Sequence, residues 1–278
     1  MMSRLTTKAA LIRLRGLVAL ACVALLISAC AGGADVQADG ATNTGTVLTG
    51  ELVYRQRIAM APDAEIHVRL VDADDGRTLG QQEIHPEGQQ VPIAFHIKYE
   101  QGEVASNHAH AVLASVYDAG GQLRWAADQP VTLPASDTDR GIRVRLAQAT
   151  FNAQALMDTR WQLQYIEQAD GSLAWAQAEH PSSIEFGSDG RVGGRAACNS
   201  FFADYELGGD GQLSIGQAGA TLMACPESGL AQPFLQQLAQ VDRYAITGKQ
   251  LRLITDDATL VLMQSETGKA AAGTATSN

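Results

Sequence analysis

Few side chains in this chain have the types and spacing for chemistry. His108 and His110 are separated by one residue. On a strand, positions i and i+2 project from one face, so two imidazoles would be offered to Cu(II), Ni(II) or Zn(II), with partners such as His67 or His96. Two ligands make a weak site, and no cysteine or methionine cluster adjoins them, so they read as surface histidines and no metal or cofactor is expected. Cys198 with His180 offers a thiol and a base. A thiolate nucleophile must stay reduced, however, and a second cysteine, Cys225, stands ready to oxidise it. Arg191 and Arg195 flank Gly193 and Gly194 in the manner of an anion cradle, but no phosphate-loop lysine accompanies them, and arginines on a solvated strand face are the plainer reading. Asp74 and Asp75, like Asp256 and Asp257, sit in turn sequences. No catalytic residue is assigned, and a non-enzymatic role is expected.

The amino terminus fixes the compartment. Arg4, Lys8, Arg13 and Arg15 precede an eleven-residue apolar run, Leu17 to Ile27, which ends in Ser28, Ala29 and Cys30. The run is well short of the ~20 residues of a spanning helix, and its order of basic, apolar and small residues is that of a secretory signal. With cysteine following directly, residues 1–29 resemble a bacterial lipoprotein signal peptide. The resemblance implies cleavage before Cys30, diacylglycerol on its sulfur and an acylated amino group, more than the two lipid signals that stable anchoring takes. No aspartate follows Cys30, so the expected location is the outer membrane, facing the periplasm. Cys22 leaves with the signal and Cys30 is acylated; Cys198 and Cys225 then remain as the pair expected to form a disulfide in an oxidising space.

The signal holds four of the twenty basic residues and none of the thirty acids, so a mature chain from Cys30 carries a net charge of −14. Such a field repels polyanions, which excludes nucleic acid as a natural partner. Membrane contact is expected through the lipid, and the partner is expected to be an envelope protein.

Residues 30–45 are rich in Ala, Gly, Thr and Asp without apolar periodicity and read as a flexible tether; residues 267–278 have the same character. Between them the dominant period is two. Ile66, Val68 and Leu70 alternate with polar residues, as do Val91, Ile93, Phe95, Ile97 and Tyr99, and then Ile142, Val144 and Leu146. His110 to Tyr117 is apolar on both faces, as in a central strand. Residues 46–148 therefore read as a β-sandwich. After a connector over 148–157, further alternating pairs (Trp161 and Leu163, Ile184 and Phe186, Leu213 and Ile215, Tyr244 and Ile246, Leu251 and Leu253, Leu260 and Leu262) are separated by Gly/Asp turns. Pro233, Phe234, Leu235, Leu238 and Val241 alone follow helical spacing. Residues 158–266 read as a curled sheet or small barrel with one short helix, and the whole as an all-β chain.

Two resemblances sharpen this. Trp161, Ile184 to Phe186, the run from Arg191 to Phe201 with Tyr205, and Thr221 to Pro226 are similar to the META domain of HslJ-like lipoproteins. Thr49 to Ala64, Val68 to Asp72, Val91 to Phe95 and Gly121 to Arg124 resemble the YscW-like lipoproteins, which include pilot proteins of secretion secretins. Both families imply β-rich folds without a catalytic centre. Trp161, Gly194, Asn199, Phe201, Tyr205, Thr221 and Met223 are then read as structural motif residues, with Gly193 and Gly194 suited to a bulge or a close backbone approach. The resemblances imply a role in envelope maintenance or stress tolerance, or alternatively piloting an outer-membrane multimer such as a secretin, or carrying a small apolar ligand.

Overall fold

A computed structural model describes residues 45–100, 102, 107–133, 141–157, 159–176, 179–225 and 229–265. The signal, Cys30, most of the tether and the carboxy-terminal tail lie outside the described residues. Those described fall within one compact unit, residues 42–278.

The first half has eight strands: β1 (Gly45–Val53), β2 (Glu65–Asp72), β3 (Thr78–Ile84), β4 (Ile93–Glu100), β5 (His110–Tyr117), β6 (Leu123–Ala127), β7 (Val131–Leu133) and β8 (Ile142–Thr150). One layer is β4–β1–β8, in which β1 and β8 run parallel. The other is β8–β6–β5–β2–β3, with β7 also on β5. β8 belongs to both because its residues change partner along its length. Ile142–Arg145 pair with β1 and Leu146–Gln148 with β6. The inward set, including Leu48, Leu52, Phe95, Ile97, Val112 and Val144, is fully buried between the layers. Each such side chain contributes roughly 1.5–3 kcal/mol of burial.

The second half comprises α1 (Ala153–Leu156), β9 (Arg160–Gln168), β10 (Leu173–Trp175), β11 (Ser183–Phe186), β12 (Arg191–Ala196), β13 (Asn199–Leu207), β14 (Leu213–Ile215), β15 (Gly219–Ala220), α2 (Ala231–Leu238), β16 (Arg243–Thr247), β17 (Gln250–Ile254) and β18 (Ala258–Gln264). Antiparallel ladders run β13–β12–β11–β9–β18–β17–β16, with β14 and β15 on β13 and β10 on β9. The sheet curls until its ends meet at a single bridge, Gln212 to Arg243, without a ladder closing it. α2 covers the core with Ala231, Phe234 and Leu238, and Pro233 sits in its first turn, where no intrahelical N–H bond is lost. The helix stops at Leu238, short of Val241.

The expected connector is partly strand. Ala149 and Thr150 of β8 already pair with β16, so the chain joins the second half before leaving the first. A continuous apolar seam follows: Val71, Ala111 and Leu113 pack with Tyr165, Leu173 and Val261, and Leu123 and Ala126 with Ala245. This second packing partner explains why β5 is apolar on both faces. Polar contacts fix the seam's register. Arg69 Nη2 meets Glu167 Oε1 at 2.6 Å, Arg69 Nη1 donates to the Gly171 carbonyl at 2.7 Å, and the Leu173 N–H donates to the Gly76 carbonyl at 2.9 Å. A Cβ on Gly76 would lie 1.7 Å from the Leu173 carbonyl oxygen, so only glycine permits this approach.

Candidate functional site

The residues of the second-half motif converge on one loop. In the structure Cys198, just before β13, is bonded to Cys225, 27 residues later. Asn199 Oδ1 accepts from the Met223 N–H at 2.7 Å and from the Thr221 hydroxyl at 2.9 Å, and its Nδ2 donates to the Met223 carbonyl at 3.3 Å. Thr221 Oγ1 in turn accepts from the Ser200 N–H at 3.1 Å. A single amide thus holds Thr221–Met223 against the start of β13, beside the disulfide. Trp161 and Phe201 are buried, Trp161 donating its indole N–H to the Leu156 carbonyl at 3.0 Å, and the Tyr205 hydroxyl donates to the Gly187 carbonyl at 2.6 Å. What this scaffold presents to solvent is apolar. Leu222 is 96% exposed, Phe202 72% and Met223 61%, all on or beside the β13–β15 pair. Sequence reasoning missed Phe202 and Leu222, because an apolar residue in a β chain reads as core until its neighbours are placed.

Gly193 and Gly194 form no bulge. β12 pairs in unbroken register with β11 and β13 through both, and the close-approach alternative applies at Gly194, where a Cβ would stand 1.9 Å from the Ser183 carbonyl oxygen. Arg191 and Arg195 lie on the exposed face of β12, with Arg195 Nη2 donating to the Cys198 carbonyl at 3.3 Å. With its sulfur in the disulfide, Cys198 offers no thiolate to His180, which is exposed.

His108 and His110 do not act as a pair. His108 precedes β5, and its Nδ1 lies 2.8 Å from Asp72 Oδ2, whereas His110 opens β5 with a fully buried ring whose two nitrogens have no hydrogen-bond partner. Asp74 stands 3.9 Å from the same His108 nitrogen. Burial pushes the Asp72 carboxyl up, but the hydrogen bonds from His108 and from the backbone N–H groups of Asp74 and Asp75, with the imidazolium charge, hold it below the ordinary value. The hydrogen bond to Asp72 outweighs desolvation and raises His108. The histidine's contribution to stability is therefore complete below its unfolded value of 6.5 and is lost as pH rises through the raised folded value. The aspartate's is complete above 3.8 and is lost as pH falls through its lowered value. Between these limits both act together. The melting-temperature gap between the natural protein and His108→Gln is expected to widen on going from about pH 8.5 to about pH 5.5; a gap that ignores pH would show that the pair is not ionised as described.

Two β assemblies on one chain, stitched along a seam, with the second-half motif residues packed into scaffold, define a class of two-part β-rich protein. Residues 43–146 match the family model of the type III secretion system lipoprotein chaperone YscW, and residues 154–267 match that of the META domain. The uncharacterized lipoprotein YbaY of Escherichia coli K12 is 30% identical over 128 residues, covering 39% of this chain and 67% of that protein. Among solved structures, an alternative pilotin from the type II secretion system of Vibrio cholerae is 25% identical, covering 38% of this chain and 98% of its own, at a TM-score of 0.35. A protein from Burkholderia xenovorans is 31% identical, covering 41% and 86%, at a TM-score of 0.37. The chain belongs to the YscW-like lipoproteins and carries a META domain as its second half.

Proposed function

We propose that this protein is a non-enzymatic lipoprotein, anchored through Cys30 to the periplasmic face of the outer membrane, that works by contact with an envelope protein in envelope maintenance or stress tolerance. The observation carrying this reading is the surface formed by Phe202, Leu222 and Met223. A disulfide and a four-bond amide and hydroxyl network fix the segment that holds Leu222 and Met223 out to water, and large apolar side chains kept exposed in this way favour an interaction surface. A second reading, the assembly of an outer-membrane multimer such as a secretin, draws on the YscW match over residues 43–146.

The test is complementation of a deletion strain under envelope stress, with protein level and membrane fraction followed in parallel. The variant Phe202→Ser/Leu222→Ser/Met223→Ser is expected to lose complementation while its melting temperature changes little, because these side chains contribute almost no burial. His108→Gln/His180→Ala is expected to complement fully. The opposite pattern would replace contact by histidine chemistry. In the same strains, Cys30→Ala is expected to move the protein from the membrane to the soluble fraction, and equal membrane association of both forms would remove the lipid anchor.

A further inference from the structure

Along the seam the outer face of the second half's sheet is covered by the first half, and the strand alternation turns arginines into that covered face. Gln250, Arg252 and Ile254 of β17 and Arg243, Ala245 and Thr247 of β16 lie on it, while Leu251 and Leu253 face the second core. Packing is incomplete at one place. A cavity of about 160 Å³ opens between the β5–β6 hairpin and β16–β18. That is far beyond the ~10–15 Å³ that a single water occupies on the same kind of measure. Leu123, Phe151, Ala245 and Ile254 give it apolar walls, and both Arg243 and Arg252 line it.

Arg252 is 5% exposed. Its Nε has no hydrogen-bond partner, and its nearest hydrogen-bonding groups are neutral: the Gln250 amide oxygen, 3.4 Å from Nη2, and the Tyr165 hydroxyl. Among the described residues no carboxylate forms an ion pair with it, and nearby Glu167 is taken by Arg69 at 2.6 Å. Arg243 stands at the more open end, its side chain 42% exposed and ion-paired with Asp242 at 3.6 Å, although its Nε has no hydrogen-bond acceptor. A guanidinium stays charged even when buried, and a buried charge without a counter-ion is among the costliest arrangements a fold can hold. The cavity therefore has the form of a site whose anion is supplied from outside. Gln122 Nε2, donating to the Asp210 carbonyl at 3.2 Å, ties the two halves together at its rim, where Asp210 is exposed.

We infer that the seam cavity binds a small organic carboxylate, its carboxylate group on Arg252 and Arg243 and its short apolar body against Leu123, Phe151 and Ile254. The planar guanidinium fork suits a carboxylate, and apolar walls with a few convergent polar groups are the usual form of a small-molecule site. The site is independent of the contact surface on β13 and β15.

Hexanoate, with hexanamide and inorganic phosphate as controls, probes it on the full chain purified in a non-ionic detergent, read by calorimetry and thermal unfolding. Hexanoate is expected to bind and to raise the melting temperature in proportion to its concentration, and hexanamide to bind at least about tenfold more weakly, the scale of one charge-assisted bond. Arg252→Met is expected to melt no lower than the natural protein without the probe, since it removes an unpaired buried charge, and to lose the hexanoate response. Arg243→Gln, at the rim, should weaken binding while leaving the fold intact. Equal responses to hexanoate and hexanamide, no response to either, a hexanoate response retained in both arginine variants, or a preference for phosphate would each overturn the assignment.

Discussion

Gly194→Val is expected to destabilise the protein by roughly 3–5 kcal/mol, whereas Gly193→Ala, one residue away, should cost less than about 1 kcal/mol. The difference lies in what each new Cβ meets. At Gly193 it would stand 3.2 Å from the Phe201 carbonyl oxygen, a distance that small adjustments relieve. At Gly194 it would stand 1.9 Å from the Ser183 carbonyl oxygen and 2.8 Å from its carbon, so backbone must move. Gly194 pairs with Ile184 on one side and Phe201 on the other, and a displaced β12 would separate β11 from β13 at the level of the buried Ile184 and Phe201. Urea unfolding of the two variants checks this, and equal midpoints would mean that the β11–β12 approach is looser than the structure has it.

Replacing Cys198 and Cys225 together by serine is expected to cost about 3 kcal/mol, the loop-closure entropy that a bridge spanning 27 residues removes from the unfolded chain. For a fold of this size that corresponds to a melting temperature lowered by roughly 6–12 °C. Reductant should bring the natural protein down to the value of the double variant and leave the variant unchanged. Peptide mapping of protein made in the periplasm should recover the two cysteines joined; two free thiols, with no effect of reductant, would reject the bridge. Because Asn199 still holds Thr221 and Met223 through its amide, the loop should keep its place near β13 in the double variant, so the loss should appear in global stability before it appears in contact function.

Much of the β architecture is legible in local pattern. Period-two alternation at Ile93–Tyr99, at Ile142–Leu146 and at Leu260–Leu262 places those strands because successive side chains must point to opposite faces, and a chain that buries one face writes that choice into every second residue. Compartment and cysteine count single out Cys198 and Cys225 without coordinates. β3 is different. Thr78–Ile84 contains only Leu79 and Ile84 as large apolar residues, so no alternation announces it, and its place is set by pairing with β2.

The amino-acid sequence by itself determined the β class, because strand period and turn residues are local properties, and its signal and motif residues carry the resemblance to a lipoprotein with a YscW-like first half and a META second half. Only the tertiary structure decided what covers the second face of each sheet. Leu251 and Leu253 read as one apolar face of a strand, and the other face, with Arg252, is buried too because β5 and β6, more than a hundred residues earlier, close over it. His108 and His110 read as surface histidines, yet one meets the buried Asp72 and the other is itself fully buried. Gly193 and Gly194 read alike, yet only one of them touches Ser183. In each case the deciding group lies outside the local window, and burial, charge pairing and steric contact are set by whichever distant segment the packed chain brings within a few ångströms.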